Sequence, residues 1–292
     1  MSVIRCWRRG PAWCQWRSVS SGTARDNAFR TTRMDESRST STVDEEAVAS
    51  SWTPQLPLYA AFLRRPSAGL AVRILRQEFD VNRAMDVFER VMQSGAHVSV
   101  PFFQSMMAFC RARAPAKAPA VLRAALSYDV QVTGDPALFC TFLDACSASK
   151  PPLLDDALKM YSNHGPRSGN VIVRLATMCL MAKQPGAALP LVQDAVDNCV
   201  DISDKMFSLF AACCAGDGSP AAGDTASTLL KLVRLKCIVH DRNLVAYENL
   251  IKVFLSANRS DEAAETLHLM DANGLTPSVE TRSTVNKAYA QR

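Results

Sequence analysis

No run of about 18 uninterrupted apolar residues occurs in the 292-residue chain, so a membrane-spanning helix is excluded by sequence. The best stretch, 171–182, is short and is broken by Arg174. Ten cysteines are present without a single Cys-x-x-Cys. The four histidines, His97, His164, His240 and His268, are far apart, and none lies in His-Glu-x-x-His. That combination excludes the usual zinc spacings. A Gly-rich phosphate loop and a Ser/His/Asp signature are also missing, which removes the common nucleotide-binding and hydrolase classes. No catalytic residue, metal ligand or cofactor site is expected.

What is present is unevenly distributed. The formal charge is +5, but residues 1–65 hold ten arginines against six acids, and the remainder is close to neutral. A histone-like binder is therefore excluded. Residues 1–25 contain no acid and five arginines, Arg5, Arg8, Arg9, Arg17 and Arg25, among Trp7, Trp13 and Trp16. An Arg-rich, Ser-rich, acid-poor start without a long apolar core has the composition of an organellar transit peptide. Residues 1–19 are assigned to it, with the mitochondrion ahead of the plastid. Arg17-Ser18-Val19-Ser20-Ser21 is similar to a matrix-protease site. Residues 20–55, rich in Ser, Thr and charge, bury too little to offset their ordering entropy and are expected to be a disordered linker.

From residue 56 onward the apolar pattern is helical and repeats. In residues 244–278, Tyr247, Leu250, Ile251 and Phe254 fall on one helix face. A turn at 257–260 follows, with Ser260 expected as an N-cap and Asp261 and Glu262 in the first turn, where the helix dipole favours anions. Ala263, Leu267 and Met270 make the second helix face, and Gly274 and Pro277 end it. The small residue recurs as Ala84, Ala118, Ala157, Ala188 and Ala226. Larger residues follow four and seven positions later, among them Phe88 and Val91, Tyr161 and His164, and Leu230 and Val233. The first-helix aromatic recurs as Phe103, Phe139 and Phe207. The units drawn are 65–99, 100–133, 134–168, 169–203, 204–243 and 244–278, with another opening at 279. The fifth is expected to be stretched by a loop at 216–220. A helix pair of this size cannot bury its apolar face alone, so the pairs stack.

Val-x-Tyr-x-x-Leu-Ile, Asp-Glu-Ala-x-x-x-Leu-x-x-Met and Gly-Leu-x-Pro-Ser, carried by Val245 to Ser278, resemble the pentatricopeptide repeat family. The resemblance implies an all-α, right-handed superhelical solenoid of about six to seven helix-turn-helix repeats over residues 56–292. It also implies a non-catalytic organellar protein that binds single-stranded RNA in transcript processing, stability or translation. In the family, the residue after the Tyr and the last residue of the repeat read the base. Carried over, these are Gln104 with Thr133, Ser208 with Asn243, and Glu248 with Ser278. The remaining pairs are Gly69/Ser99, Cys140/Ser168 and Val173/Ser203, and Ser283 opens the last fragment. Gly, Cys and Val lack the directional hydrogen bonds of such a code, and a small polar residue before a helix is equally an N-cap.

Two basic groups, Arg111, Arg113, Lys117 and Arg123, then Lys231, Arg234, Lys236 and Arg242, are candidate phosphate contacts or solvated helix faces. The near-neutral body leaves a second function class open, a helical scaffold for protein partners in an organellar ribosome or other complex.

Overall fold

The computed structural model describes residues 56–95, 98–128, 135–235, 238 and 243–291. The expected transit peptide and linker lie outside them. The chain divides into two units at Ala61/Phe62. A helix, α1 (Leu56–Arg64), crosses that division.

The second unit is a stack of helix hairpins. They are α2 (Ala68–Leu75) with α3 (Val81–Gln93), α4 (Val100–Arg113) with α5 (Ala118–Ser127), and α6 (Pro136–Ala148) with α7 (Leu154–His164). Next come α8 (Gly169–Met181) with α9 (Leu189–Asp197), α10 (Asp204–Asp217) with α11 (Pro220–Arg234), and α12 (Leu244–Ser256) with α13 (Ser260–Ala272). A single helix, α14 (Val279–Ala290), follows. All six expected units are present in register, and α14 opens the seventh. Over the described residues the fold is an all-α helical-repeat solenoid of stacked hairpins.

The first helices α2, α4, α6, α8, α10, α12 and α14 pack on one another in chain order and form one continuous layer. They are apolar on more than one face because each is covered by its own partner and by the rungs on both sides. The second helices form the other layer, which is amphipathic and more exposed.

The alanine seam is the core. Ala84, Ala118, Ala157, Ala188, Ala226 and Ala263 are all fully buried, as are Phe103, Phe139, Phe207 and Tyr247. A methyl at the crossing lets two helices close to the short end of the usual 8–10 Å axis separation. Aromatic rings fill the space beside it, as where Phe207 meets Tyr247 of the next rung edge-on with centroids 5.6 Å apart. In the position seven after the alanine, Val91, Ala125, Ala195, Val233 and Met270 are buried. His164 departs from that pattern and is exposed. It is the last residue of α7, and the chain leaves the helix at Gly165, so the side chain falls beyond the interface.

Four helix ends share one closure built from different residues. Leu275 donates its N–H to Met270 O at 2.9 Å around Gly274, whose φ is +72°. The same six-residue closure joins Val200 to Ala195 around Cys199, Gln184 to Cys179 around Lys183, and Arg259 to Phe254 around Asn258. Those three centres are also left-handed, with φ of 53°, 58° and 56°. This is the Schellman closure, which satisfies the last helix carbonyls.

Two expectations change. Ser260 is the first helical residue rather than the cap, and Arg259 holds the cap position. The left-handed Asn258 turns the chain into α13 one residue early and buries Ser260. The 216–220 segment adds little loop, because Gly216 and Asp217 continue α10 and Pro220 begins α11. Only Gly218, at φ +63°, and Ser219 separate these helices, which run to 14 and 15 residues. Ser219 caps α11 by accepting the Ala222 N–H at 3.3 Å. The extra length of the fifth unit therefore lies in its helices and in the segment after α11, where Ile238 bridges Ile202 of the preceding connector.

Cys199 is a side-chain-bearing residue where Gly274 holds the equivalent place. Cys199→Gly is expected to raise the stability of the fold by about 1 kcal/mol through relief of left-handed strain. Urea denaturation followed by circular dichroism measures it, and an unchanged or lower midpoint contradicts the assignment.

Candidate nucleic-acid interface

A buried aromatic near the start of α4, α6, α10 and α12 pins the rotation of those four first helices. The next residue is then turned by about 100° onto the same side of the first-helix layer in those rungs. Gln104 follows Phe103, Cys140 follows Phe139, Ser208 follows Phe207, and Glu248 follows Tyr247. Gln104 is exposed, and Cys140, Ser208 and Glu248 are half-buried. The structure thus lines up these candidates, with Val173 half-buried and Ser283 exposed in the same series.

The last-position series has a local task. Ser203 accepts the Met206 N–H at 3.3 Å, Asn243 accepts the Ala246 N–H at 3.2 Å, and Ser278 accepts the Thr281 N–H at 3.0 Å. Each is an N-cap of the following first helix. Asn243 spends only Oδ1 in that bond. Ser99 and Ser168 stand at the same place without a side-chain cap bond. Ser168 Oγ is buried without a hydrogen-bond partner. Thr133 lies outside the described residues. Gln104 donates Nε2 to Asp135 Oδ2 of the next rung at 2.8 Å, which leaves its carbonyl oxygen as the acceptor.

The basic candidates are not brought together. Lys231 and Arg234 sit on α11, in the second-helix layer, whereas Ser208 and Glu248 sit on first helices. Lys231 is exposed, and Arg234 is paired with Glu265 of α13 at 3.0 Å. Lys236 and Arg242 lie outside the described residues. In the other group, Arg111 is 3.7 Å from Asp144, and Arg113 lies over the Phe79 ring at 4.9 Å from its centroid. Lys117 and Arg123 are exposed beside α5 and on it, respectively.

Polar contacts that the motif frame did not reveal tie one rung to the next. Asp144 of α6 takes Arg111 of α4 on one side and Arg174 of α8 on the other, the latter at 2.7 Å. Tyr161 donates its hydroxyl to Asp194 of α9, and Arg167 pairs with the same carboxylate at 3.2 Å. Arg167 also donates to the carbonyls of Tyr161 in α7 at 2.7 Å and of Gly165 just past its end at 2.9 Å, where the helix dipole favours a cation. Burial, the bond to Asp194 and its charge push the Tyr161 phenol above its ordinary range. Arg259 joins Asp224, Ser227 and Glu262 across α11 and α13. The partners in five of these contacts are 30 to 35 residues apart, about one repeat. Charge pairs at the repeat period were the available signal.

The acidic doublets serve as helix starts. Asp155 and Asp156 open α7, and Asp261 and Glu262 open α13. Among the described residues, no group of three or more His, Cys, Asp or Glu could hold a metal ion. Among them, too, no helix is long and apolar enough to cross a membrane. Burial pushes the thiols of Cys110, Cys146, Cys213 and Cys214 up to about 12, and that of Cys179 to about 11. These cysteines act as small apolar residues of the stack.

Comparison with known proteins is spare. No protein-family model matches the chain, and no curated protein matches it. Among solved structures, the crystal structure of the pentatricopeptide repeat protein PPR10 from maize is similar at 18% identity and a TM-score of 0.38. The match covers 77% of this chain, which spans only 31% of that one.

Two outcomes follow from these geometries. Thiols raised on folding favour the folded state fully below their unfolded value near 9.0, and the advantage is lost as pH climbs toward about 12. The melting temperature is therefore expected to hold between neutral pH and about pH 8.5 and to fall above about pH 9. A flat profile through that window contradicts the burial of these thiols. Asn243→Ala is expected to cost about 1 kcal/mol through loss of the α12 cap. Asn243→Ser should restore most of it in the same chemical denaturation measurement.

Proposed function

We propose that this chain is a non-catalytic, single-stranded-RNA-binding helical-repeat protein of an organelle, the mitochondrion before the plastid. Its role is in transcript processing, stability or translation. One observation carries the reading: the residue after a buried aromatic recurs in four rungs of the first-helix layer, as Gln104, Cys140, Ser208 and Glu248. A single strand offers one base per nucleotide to such a row, and splayed bases are read on their edges by side chains of this kind. Gln104, Ser208 and Glu248 supply hydrogen-bonding groups in that row, and Asn243 and Ser278 flank it. The arginine-rich, acid-free N-terminus supports the organellar address.

A second reading, a scaffold for protein partners, has its own observation. Arg111, Arg167, Arg174, Arg234, Arg259 and Arg282 are each paired with a carboxylate, which reduces the charge available to phosphates.

The chain is expected to retain a short single-stranded oligoribonucleotide on filters with sub-micromolar affinity at physiological salt. Affinity should fall as salt rises, with a logarithmic slope of about −0.7 per phosphate contacted. Absence of binding at physiological salt, together with partners that co-purify after nuclease treatment, decides for the scaffold. Residues 1–19 fused to a reporter are expected to direct import into isolated mitochondria, and failure removes the organellar assignment.

A further inference from the structure

Among the described residues phenylalanine is a core residue with one departure. Every other described phenylalanine is at most 6% exposed, whereas Phe79, in the turn between α2 and α3, is 66% exposed. A large exposed ring set among buried ones calls for a reason. The turn that carries it is held rigidly. Glu78 is buried and accepts the N–H groups of both Phe79 and Asp80 through Oε1, each at 3.0 Å. Asp80 in turn caps α3 by accepting the Arg83 N–H at 2.9 Å. Phe79 is thereby projected outward by a fixed backbone.

The ring stands at a groove of about 490 Å³ between α2 and α4, two neighbours of the first-helix layer. The floor of the groove is one face of α4, where Ser105, Ala108 and Ala112 leave space above the helix. At the Phe79 end, Arg113 lies against the ring at 4.9 Å, and Arg76 lines the same wall. No carboxylate among the described residues is paired with Arg76 or Arg113, in contrast to the arginines of the inter-rung ladder. Glu78 also lines the groove, but its carboxylate is engaged by the Phe79 and Asp80 N–H groups and by Arg83. The site thus combines an exposed π-face, two cations that form no ion pair and a shallow floor of small side chains.

We propose that this groove is a nucleotide-binding site at the N-terminal end of the solenoid. One base of a single strand stacks on Phe79, and the adjoining phosphate is held by Arg76 and Arg113. The proposal rests on the RNA-binding reading and deepens it. A planar base matches the open face of the ring, and stacking of this kind is tolerant of sequence. The two guanidinium groups supply the phosphate contacts that the paired arginines elsewhere do not. A protein partner would need a deep apolar recess for an anchoring side chain, whereas here the large apolar group projects outward from a shallow floor. The site anchors a strand without reading its sequence. Reading falls to Gln104, at the far end of the same groove, and to the rungs beyond it.

The test uses the full-length chain and a short single-stranded oligoribonucleotide of mixed sequence in filter binding across a salt series. Phe79→Ala is expected to weaken binding about tenfold with the salt slope unchanged, and Phe79→Trp to retain wild-type affinity. Arg76→Gln combined with Arg113→Gln is expected to weaken binding and to reduce the slope by about one unit. Phe79 is exposed, so thermal melts of these variants should match wild type and separate binding from folding. Wild-type affinity in Phe79→Ala overturns this site while leaving RNA binding by the chain intact. Absence of RNA binding by the wild-type chain overturns both. If Phe79→Ala instead releases a nuclease-resistant protein partner and leaves RNA affinity unchanged, the groove is a protein contact and the proposal fails.

Discussion

Everything in this molecule depends on how closely two helices of a hairpin can approach at one alanine. A buried methyl at the crossing sets the separation, and the separation sets which residues reach the neighbouring rung. The rings of Phe103, Phe139, Phe207 and Tyr247 then fill a space of constant depth and are fully buried. A larger side chain at Ala84, Ala157 or Ala263 would force off-rotamer packing or displace a helix, at a typical cost of about 1–3 kcal/mol. The displacement would pass along the stack, because each rung is the template for the next.

On that apolar frame the polar contacts act as spacers between rungs. Asp144 bridges arginines of α4 and α8, and Asp194 receives both Tyr161 and Arg167. Exposed pairs of this kind contribute little stability each. They also neutralise arginines that would otherwise add positive charge to the surface. Positive charge without a carboxylate partner remains at particular places, among them Arg76 and Arg113 beside Phe79. The strand contacts proposed above therefore depend on which arginines lack a carboxylate partner.

Much of this was legible in the residues. The six hairpins, the alanine seam, the buried aromatics and the anionic helix starts all follow from period and composition, and the structure places them where that reading puts them. The departures have local causes. Ser260 lost the cap because Asn258 adopts the left-handed conformation, and His164 left the core because α7 stops there. Gly216 and Asp217 stayed helical because Gly218 alone supplies the turn. The candidate base readers Ser208 and Glu248 share a layer with Gln104, whereas the candidate phosphate contacts Lys231 and Arg234 belong to the other layer. Periodicity alone did not separate the two.

By itself the sequence determined the repeat, its length, the helical class and the face each helix buries, because these are set by residues within one or two turns of one another. Tertiary structure decided which side chains meet across rungs. It paired Asp144 with Arg174, closed Arg259 on Asp224, and left Phe79 outside with Arg113 against it. Those outcomes depend on the rotation and spacing of whole helices, and these are fixed only once the alanine seams have closed and the rungs have stacked.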